Sequence, residues 1–121
     1  MELTFTNEPL ARLCNGQAEL TAWAGDDAAS LEQLLNELDC ADTLGRFEEL
    51  PHVLLARAPQ GRVGAHSTND AGVLLKPELT SSRAFREAEA ALIVAVAVGE
   101  EHFNPEGAAW PQAFATSRTT K

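Results

Sequence analysis

The chain has 121 residues, 45% of them hydrophobic, with 18 Asp and Glu against 9 Lys and Arg. That length and apolar content suit one domain burying roughly two thirds of its unfolded surface without help from metals or disulfides. A net charge of -9 speaks against tight binding of free nucleic acid, because holding a polyanion takes many cationic contacts to phosphate.

Residues 2–6, ELTFT, alternate Leu3 and Phe5 with polar neighbours, the period of two expected for a half-buried strand. From Asn7 the period lengthens. Leu10, Leu13, Cys14, Gln17 and Leu20 or Thr21 recur at helical spacing, with Asn7 as N-cap and Pro9 in the first turn, and this first helix is expected to end near Gly25. The next stretch, DDAASLEQLLNELDCA, places Leu31, Leu34, Leu35 and Leu38 at i, i+3, i+4 and i+7, with Asp26 or Asp27 positioned to cap it. A turn at Ala24 to Asp27 makes the two helices antiparallel, so both apolar stripes need one common surface. A sheet must supply it.

After Pro51 the chain reads as strand. HVLLARA, RVGAH and GVLLK are three short runs separated by PQG and STNDAG, turn-forming sets with Gly or Asn-Asp suited to unusual backbone angles, and together they predict an antiparallel meander. A polar segment, ELTSSRAFREAE, precedes AALIVAVAV, whose β-branched run fits a central strand buried on both faces. From Gly99 the sequence reads as loop, with Trp110 and Phe114 pinning part of it to the body and the last seven residues disordered. The expected order is β-α-α-β-β-β-β, an α+β domain over residues 1–103 with two N-terminal helices packed on one face of a mainly antiparallel sheet, followed by a tail at 104–121.

The charge is lopsided. Residues 1–50 carry 11 acidic and 2 basic side chains, whereas residues 51–121 carry 7 of each. Cys14 and Cys40 are expected to be reduced thiols. The start MELTFTNEPL has neither a basic nor an apolar leader region, and the run at 90–98 is too short to span a bilayer as a helix, so a cytoplasmic protein is expected. No cofactor motif is present, and the three histidines, 14 and 36 residues apart, lack metal-ligand spacing.

LARLCN at residues 10–15 and LLNELDCADTLGRFEELP at 34–51 resemble the HigB branch of the RelE toxin superfamily, where L-x-K-L-C-N, L-x-x-L-x-x-A-x-x-L and then L-P recur. The resemblance runs on through LLARAPQG, through GVLLKPE where relatives have R-L-I-F-E-P, and to LIVAVAV, which leads in relatives to a Tyr-His pair. It covers residues 2–103. It implies a small microbial RelE-type domain, a ribosome-dependent mRNA endonuclease encoded beside a helix-turn-helix antitoxin.

Relatives place basic residues such as G-D-R-K-G in the first hairpin turn and an Arg before the L-I-F strand. Here those positions hold Ala58, Pro59, Gln60, Gly61 and Gly72. Such an enzyme activates a ribose 2′-hydroxyl, stabilises charge on the phosphate and protonates a leaving oxygen, and cations supply much of the second task. Each lost charge-assisted contact is worth about 1.5–3 kcal/mol, so losing two or three removes several orders of magnitude in rate. The remaining candidates are Arg57, Arg62, His66 and His102. Alternation puts Arg62, Gly64 and His66 on one strand face, where they form either a functional pair or an ordinary solvated surface.

Lys76, before Pro77, reads as a solvated edge lysine, His52 as an exposed loop residue and Asn15 as part of helix structure. Arg83, Arg86, Glu87 and Glu89 read as a solvated loop or short helix, and Trp23 and Trp110 as core or docking residues. With no Tyr in the chain, a base-stacking site has little support. Three readings follow. The first is a RelE/HigB-like domain with a diverged active site, acting through a protein partner. The second is an active ribosome-dependent endonuclease positioned on mRNA by the ribosome, and the third an acidic, immunity-like mimic of nucleic acid.

Overall fold

The computed structural model describes residues 1–68, 70–78 and 85–111, so the expectations for Arg83, Phe114 and the last seven residues lie outside the described residues. It is an α+β fold, with four α-helices against one mixed sheet among the described residues. β1 (Glu2–Phe5) leads into α1 (Glu8–Asn15), where Asn7 Oδ1 accepts from the Leu10 N–H at 3.0 Å and Pro9 sits in the first turn, where its missing N–H costs no helical bond.

The expected single helix up to Gly25 breaks at Gly16. This residue is extended (φ -111°, ψ 113°); its N–H donates to Arg12 O at 3.0 Å and its carbonyl accepts from Leu20 N at 2.9 Å, so it closes α1 and opens α2 (Gln17–Ala24). Glycine gives up the most backbone freedom inside a helix, which makes it the cheapest place to stop one.

A 3₁₀ turn at Gly25–Asp27 runs straight into α3 (Ala28–Cys40). Asp27 occupies the N-cap position without a side-chain capping bond, since its backbone is already helical and the Ala28 N–H is met by the Gly25 carbonyl. A further short helix, α4 (Leu44–Glu48), was not expected from the apolar spacing. Thr43 Oγ1 caps it by accepting from Arg46 N at 3.3 Å, and Leu44 and Phe47, one turn apart, are both buried.

The strands β2 (Val53–Ala58), β3 (Arg62–Ser67), β4 (Ala71–Glu78) and β5 (Ala90–Val98) form the expected meander and central strand. Gln60 and Gly61 turn the first hairpin with φ of 64° and 74°, and Asp70 turns the second with φ 65°. The order is β1-β5-β4-β3-β2, with β1 parallel to β5 and the other pairs antiparallel. β1 covers only residues 90–93 of the β5 edge. The remainder is taken by β6 (Glu101–Phe103), paired to residues 96–98, where the sequence had suggested loop. Three residues are too few to display a strand period.

The helices cover one face of this sheet. Leu10, Leu13, Leu20, Leu31, Leu34, Leu38, Leu44 and Phe47 pack there with Val53, Val63, Val73, Leu75, Ile93 and Val96. A smaller cluster, Leu74, Val94, Ala95 and Ala108 with Ala58 and Trp110 at its margin, lies on the opposite face. A bulge lets the neighbours Val94 and Ala95 both join the second set: Leu74 pairs with Ala95 and Leu75 with Ile93, leaving Val94 as the extra residue. Segment 104–111 lies against this second face, with Ala108 and Pro111 buried.

Candidate functional site

The second sheet face carries three of the four basic candidates. Val53 and Leu55 pack toward the helices, which places Leu54, Ala56 and Ala58 on the second face and Arg57 with the helix-side set. Arg62 pairs with Ala58, Gly64 with Ala56 and His66 with Leu54, so Arg62, Gly64 and His66 share the second face as their alternation predicts. Arg57, opposite Val63, projects to the other side. It does not join the group.

His102 arrives by a different route. His66 pairs with Gly72, Gly72 with Ala97, and Ala97 with His102. A single row therefore crosses four strands with an imidazole at each end. Strand spacing sets the two histidine Cα atoms about 14 Å apart, and Arg62 lies about 13 Å along β3 from His66.

Segment 104–111 fills the middle of that row. Asn104 closes it into a compact loop: Oδ1 accepts from Ala108 N at 3.0 Å and Nδ2 donates to Ala108 O at 2.8 Å. Gly107 supports the turn with φ 64°, and its N–H donates to Asn104 O at 3.1 Å. The loop delivers the Trp110 indole onto Gly72, with Cζ3 at 3.4 Å from where a Cβ on that glycine would stand. The same ring meets His102 edge-on, with centroids 6.1 Å apart and planes at 88°. Glycine inside a strand, here ahead of Val73, Leu74 and Leu75, is the sequence signal for such a close approach, and Gly72 carries it.

The electrostatics of the row are mixed rather than cationic. His66 Nε2 stands 3.6 Å from Asp70 Oδ1 across the β3–β4 turn, and His102 follows Glu100 and Glu101 in sequence. Lys76 is exposed on this face as well, yet on the interior strand β4 rather than at the sheet edge the sequence suggested. Trp110 Nε1 is buried and finds no acceptor among the described residues. An orphaned buried donor of this kind costs about 1–3 kcal/mol.

The other singled-out residues serve structure. His52, expected to be exposed, is half-buried, and its Nε2 lies 2.8 Å and 2.9 Å from the two oxygens of Glu37 on α3. Trp23 packs edge-on against Phe103 at 6.2 Å. Arg86, in the 3₁₀ turn Phe85–Glu87, pairs with Glu48, which holds its guanidinium pKa above the usual value.

Asn15 ends α1 and lines a cleft of about 220 Å³ between β1, α1 and α3 with Cys14, Leu35 and Asp39. Burial pushes the Cys14 thiol up to about 12, so it is protonated and unreactive at neutral pH. Cys40 is exposed and the two thiols are unpaired. Neither this cleft nor the groove along α3, lined by Ala29, Glu32, Gln33, Asn36, Glu37 and Cys40, contains a basic side chain. No group of three His, Cys, Asp or Glu among the described residues is arranged to hold a metal ion, and no helix among them is long and apolar enough to cross a membrane.

Comparison of the chain with protein-family models, with curated proteins and with solved structures finds no match to any of them.

Proposed function

We propose that this chain is a diverged RelE/HigB-like toxin-family domain that acts in the cytoplasm by binding a protein partner, with mRNA endonuclease activity weakened or lost. The observation that carries this reading is the row His66–Gly72–Ala97–His102 with an indole seated inside it. A general acid and base acting on one phosphodiester each need to come within about 2.6–3.2 Å of the atoms they serve. Here the space between the two imidazoles is taken by Trp110, Arg57 faces the other way, and the Asp70 carboxylate stands 3.6 Å from His66. A phosphate brought to the row meets an indole rather than an open floor, and Arg62 and Lys76 lie four residues along their strands from His66 and Gly72.

The acidic helical layer adds to the same reading. With 11 carboxylates against 2 cations in residues 1–50, it repels ribosomal RNA and suits a basic protein surface. A helix-turn-helix antitoxin encoded nearby is the partner that the family resemblance suggests, and the ribosome with its mRNA the target if activity survives.

Induced expression decides between binding and cleavage. The wild-type chain is expected to cause no growth arrest and no mRNA cleavage, and to co-purify with the product of the neighbouring reading frame. Growth arrest with cleaved mRNA, both abolished by the double change Arg62→Ala and His66→Ala, would show an active endonuclease and overturn the proposal.

A further inference from the structure

We infer that the outer edge of β2 is a docking site for an extended, acidic segment of a partner protein, which adds to the sheet there as a further antiparallel strand. The inference rests on the partner-binding reading above and names one contact it uses. Three observations meet at this edge. First, its backbone is open. Thr68 N donates to His52 O at 3.0 Å, and β2 pairs with β3 in one unbroken register from Val53–Ser67 to Ala58–Arg62. His52 and Thr68 are therefore a hydrogen-bonded pair, and alternation turns the N–H and C=O groups of Leu54, Ala56 and Ala58 toward β3 and those of Val53, Leu55 and Arg57 outward. The Val53 N–H is met by Leu50 O at 3.1 Å. The N–H and C=O of Leu55 have no partner among the described residues.

Second, β2 lacks what commonly protects a sheet edge from pairing. It is six residues long without Pro, Lys or bulge, Arg57 is its one charge, and Leu54, 61% exposed, is the large hydrophobic side chain left in solvent among the described residues. The strands along the opposite edge, β1 and β6, are four and three residues long and carry Glu2 and Glu101.

Third, the charge here is of one sign. Residues 51–69 hold His52, Arg57, Arg62 and His66 and no Asp or Glu, in a chain that has 18 of these acids. Arg62 lies one strand in from the edge, opposite Ala58, and the Val63–Leu75 register carried one step further sets Lys76 opposite Arg62. Neither cation makes an ion pair among the described residues, although Glu78 follows two residues after Lys76 on the same face. Like charges directly opposite destabilise a strand pair. A carboxylate on an added strand, about 10 Å from Arg62 at Cα, relieves this repulsion, since only the small Ala58 stands between them. A second copy fits worse, because it lays one acid-free hairpin against another. The fitting segment, read from its N-terminus, has carboxylates opposite Ala58 and Arg57, a small residue opposite Ala56 and β-branched residues opposite Leu55 and Leu54.

The test follows amide resonances of the full chain by NMR as three peptides are added: Gly-Glu-Glu-Thr-Val-Val-Gly, the same with Gln-Gln for Glu-Glu, and the first N-methylated on the valine that pairs with Leu55. The acidic peptide is expected to shift Leu54, Leu55, Ala56 and Arg57 saturably and to protect the Leu55 amide from exchange. The Gln-Gln peptide should bind about fivefold more weakly and with little salt dependence, and Arg62→Gln should weaken the acidic peptide about twofold. The N-methylated peptide should not bind. Leu55→Pro, a residue that an edge strand tolerates where its N–H faces solvent, should abolish binding as well; if that variant does not fold, the N-methylated peptide decides.

Absence of saturable binding, equal binding of the acidic and Gln-Gln peptides, binding that survives N-methylation, or shifts confined to another edge or to the helices would each overturn the inference. A dimer that protects the Leu55 amide without peptide would mean that a second copy is the occupant, against the proposal. The two readings fail separately: growth arrest with peptide binding intact removes the proposed function and leaves the docking edge, and co-purification without peptide binding does the reverse.

Discussion

The two faces of the sheet are covered by different means. On one side α3 and α4 bring Leu31, Leu34, Leu38 and Phe47, each at most 1% exposed, into one core with Val73, Leu75 and Ile93. On the other, a single loop closed by Asn104 lays Ala108 and Trp110 on Leu74, Val94 and Ala95, leaving Arg62, His66, Lys76 and His102 around the margin. Fully burying a Leu or Phe side chain contributes about 1.5–3 kcal/mol, so the helix layer carries most of the apolar stabilisation. Surface that holds little of the folding free energy is free to change its contacts, and function is drawn from such regions.

Substitutions on the two sides measure that difference. Leu34→Ala, at the centre of the helix layer, is expected to cost about 3–5 kcal/mol in urea unfolding at unchanged m-value; a loss below 1 kcal/mol would mean that α3 is not the main support. The Cys14 thiol gives the next effect. Its folded-state pKa lies near 12 against an ordinary 9.0, so the stability tied to its neutral form is complete below pH 9.0 and falls as pH rises toward 12. The loss should approach about 1.4 kcal/mol per pH unit in that window, and Cys14→Ala should flatten the Tm-against-pH curve there.

Trp110→Ala is expected to cost only about 1–2 kcal/mol, because the lost contact area is offset by removal of the orphaned indole donor. A loss as large as that of Leu34→Ala would erase the contrast between the faces. Smallest is Asn7→Ala, about 1 kcal/mol through the α1 cap. Because Asn7 Nδ2 also reaches Glu106 at the start of the loop at 3.5 Å, Glu106→Ala should change stability by under about 0.5 kcal/mol, as thermal melts of the two variants would show.

Local pattern by itself determined much of this protein: the leucine stripe of α3, the Asn7 cap, the hairpin turns at Pro59–Gly61 and Asp70, the buried β5 strand and the shared face of Arg62 and His66. Each of these is written in residues close together in the chain, where periodicity and turn chemistry act directly. Tertiary structure alone decided which strand neighbours which, and so which distant residues meet. The row from His66 to His102 joins residues 36 apart through pairings with Gly72 and Ala97, and no local pattern records them. The break at Gly16, the strand at Glu101–Phe103 and the His52–Glu37 contact likewise depend on space left by other elements. Trp110 could be read as a docking residue from its composition, but its seat could not, because a glycine shows its purpose only when something is laid against it.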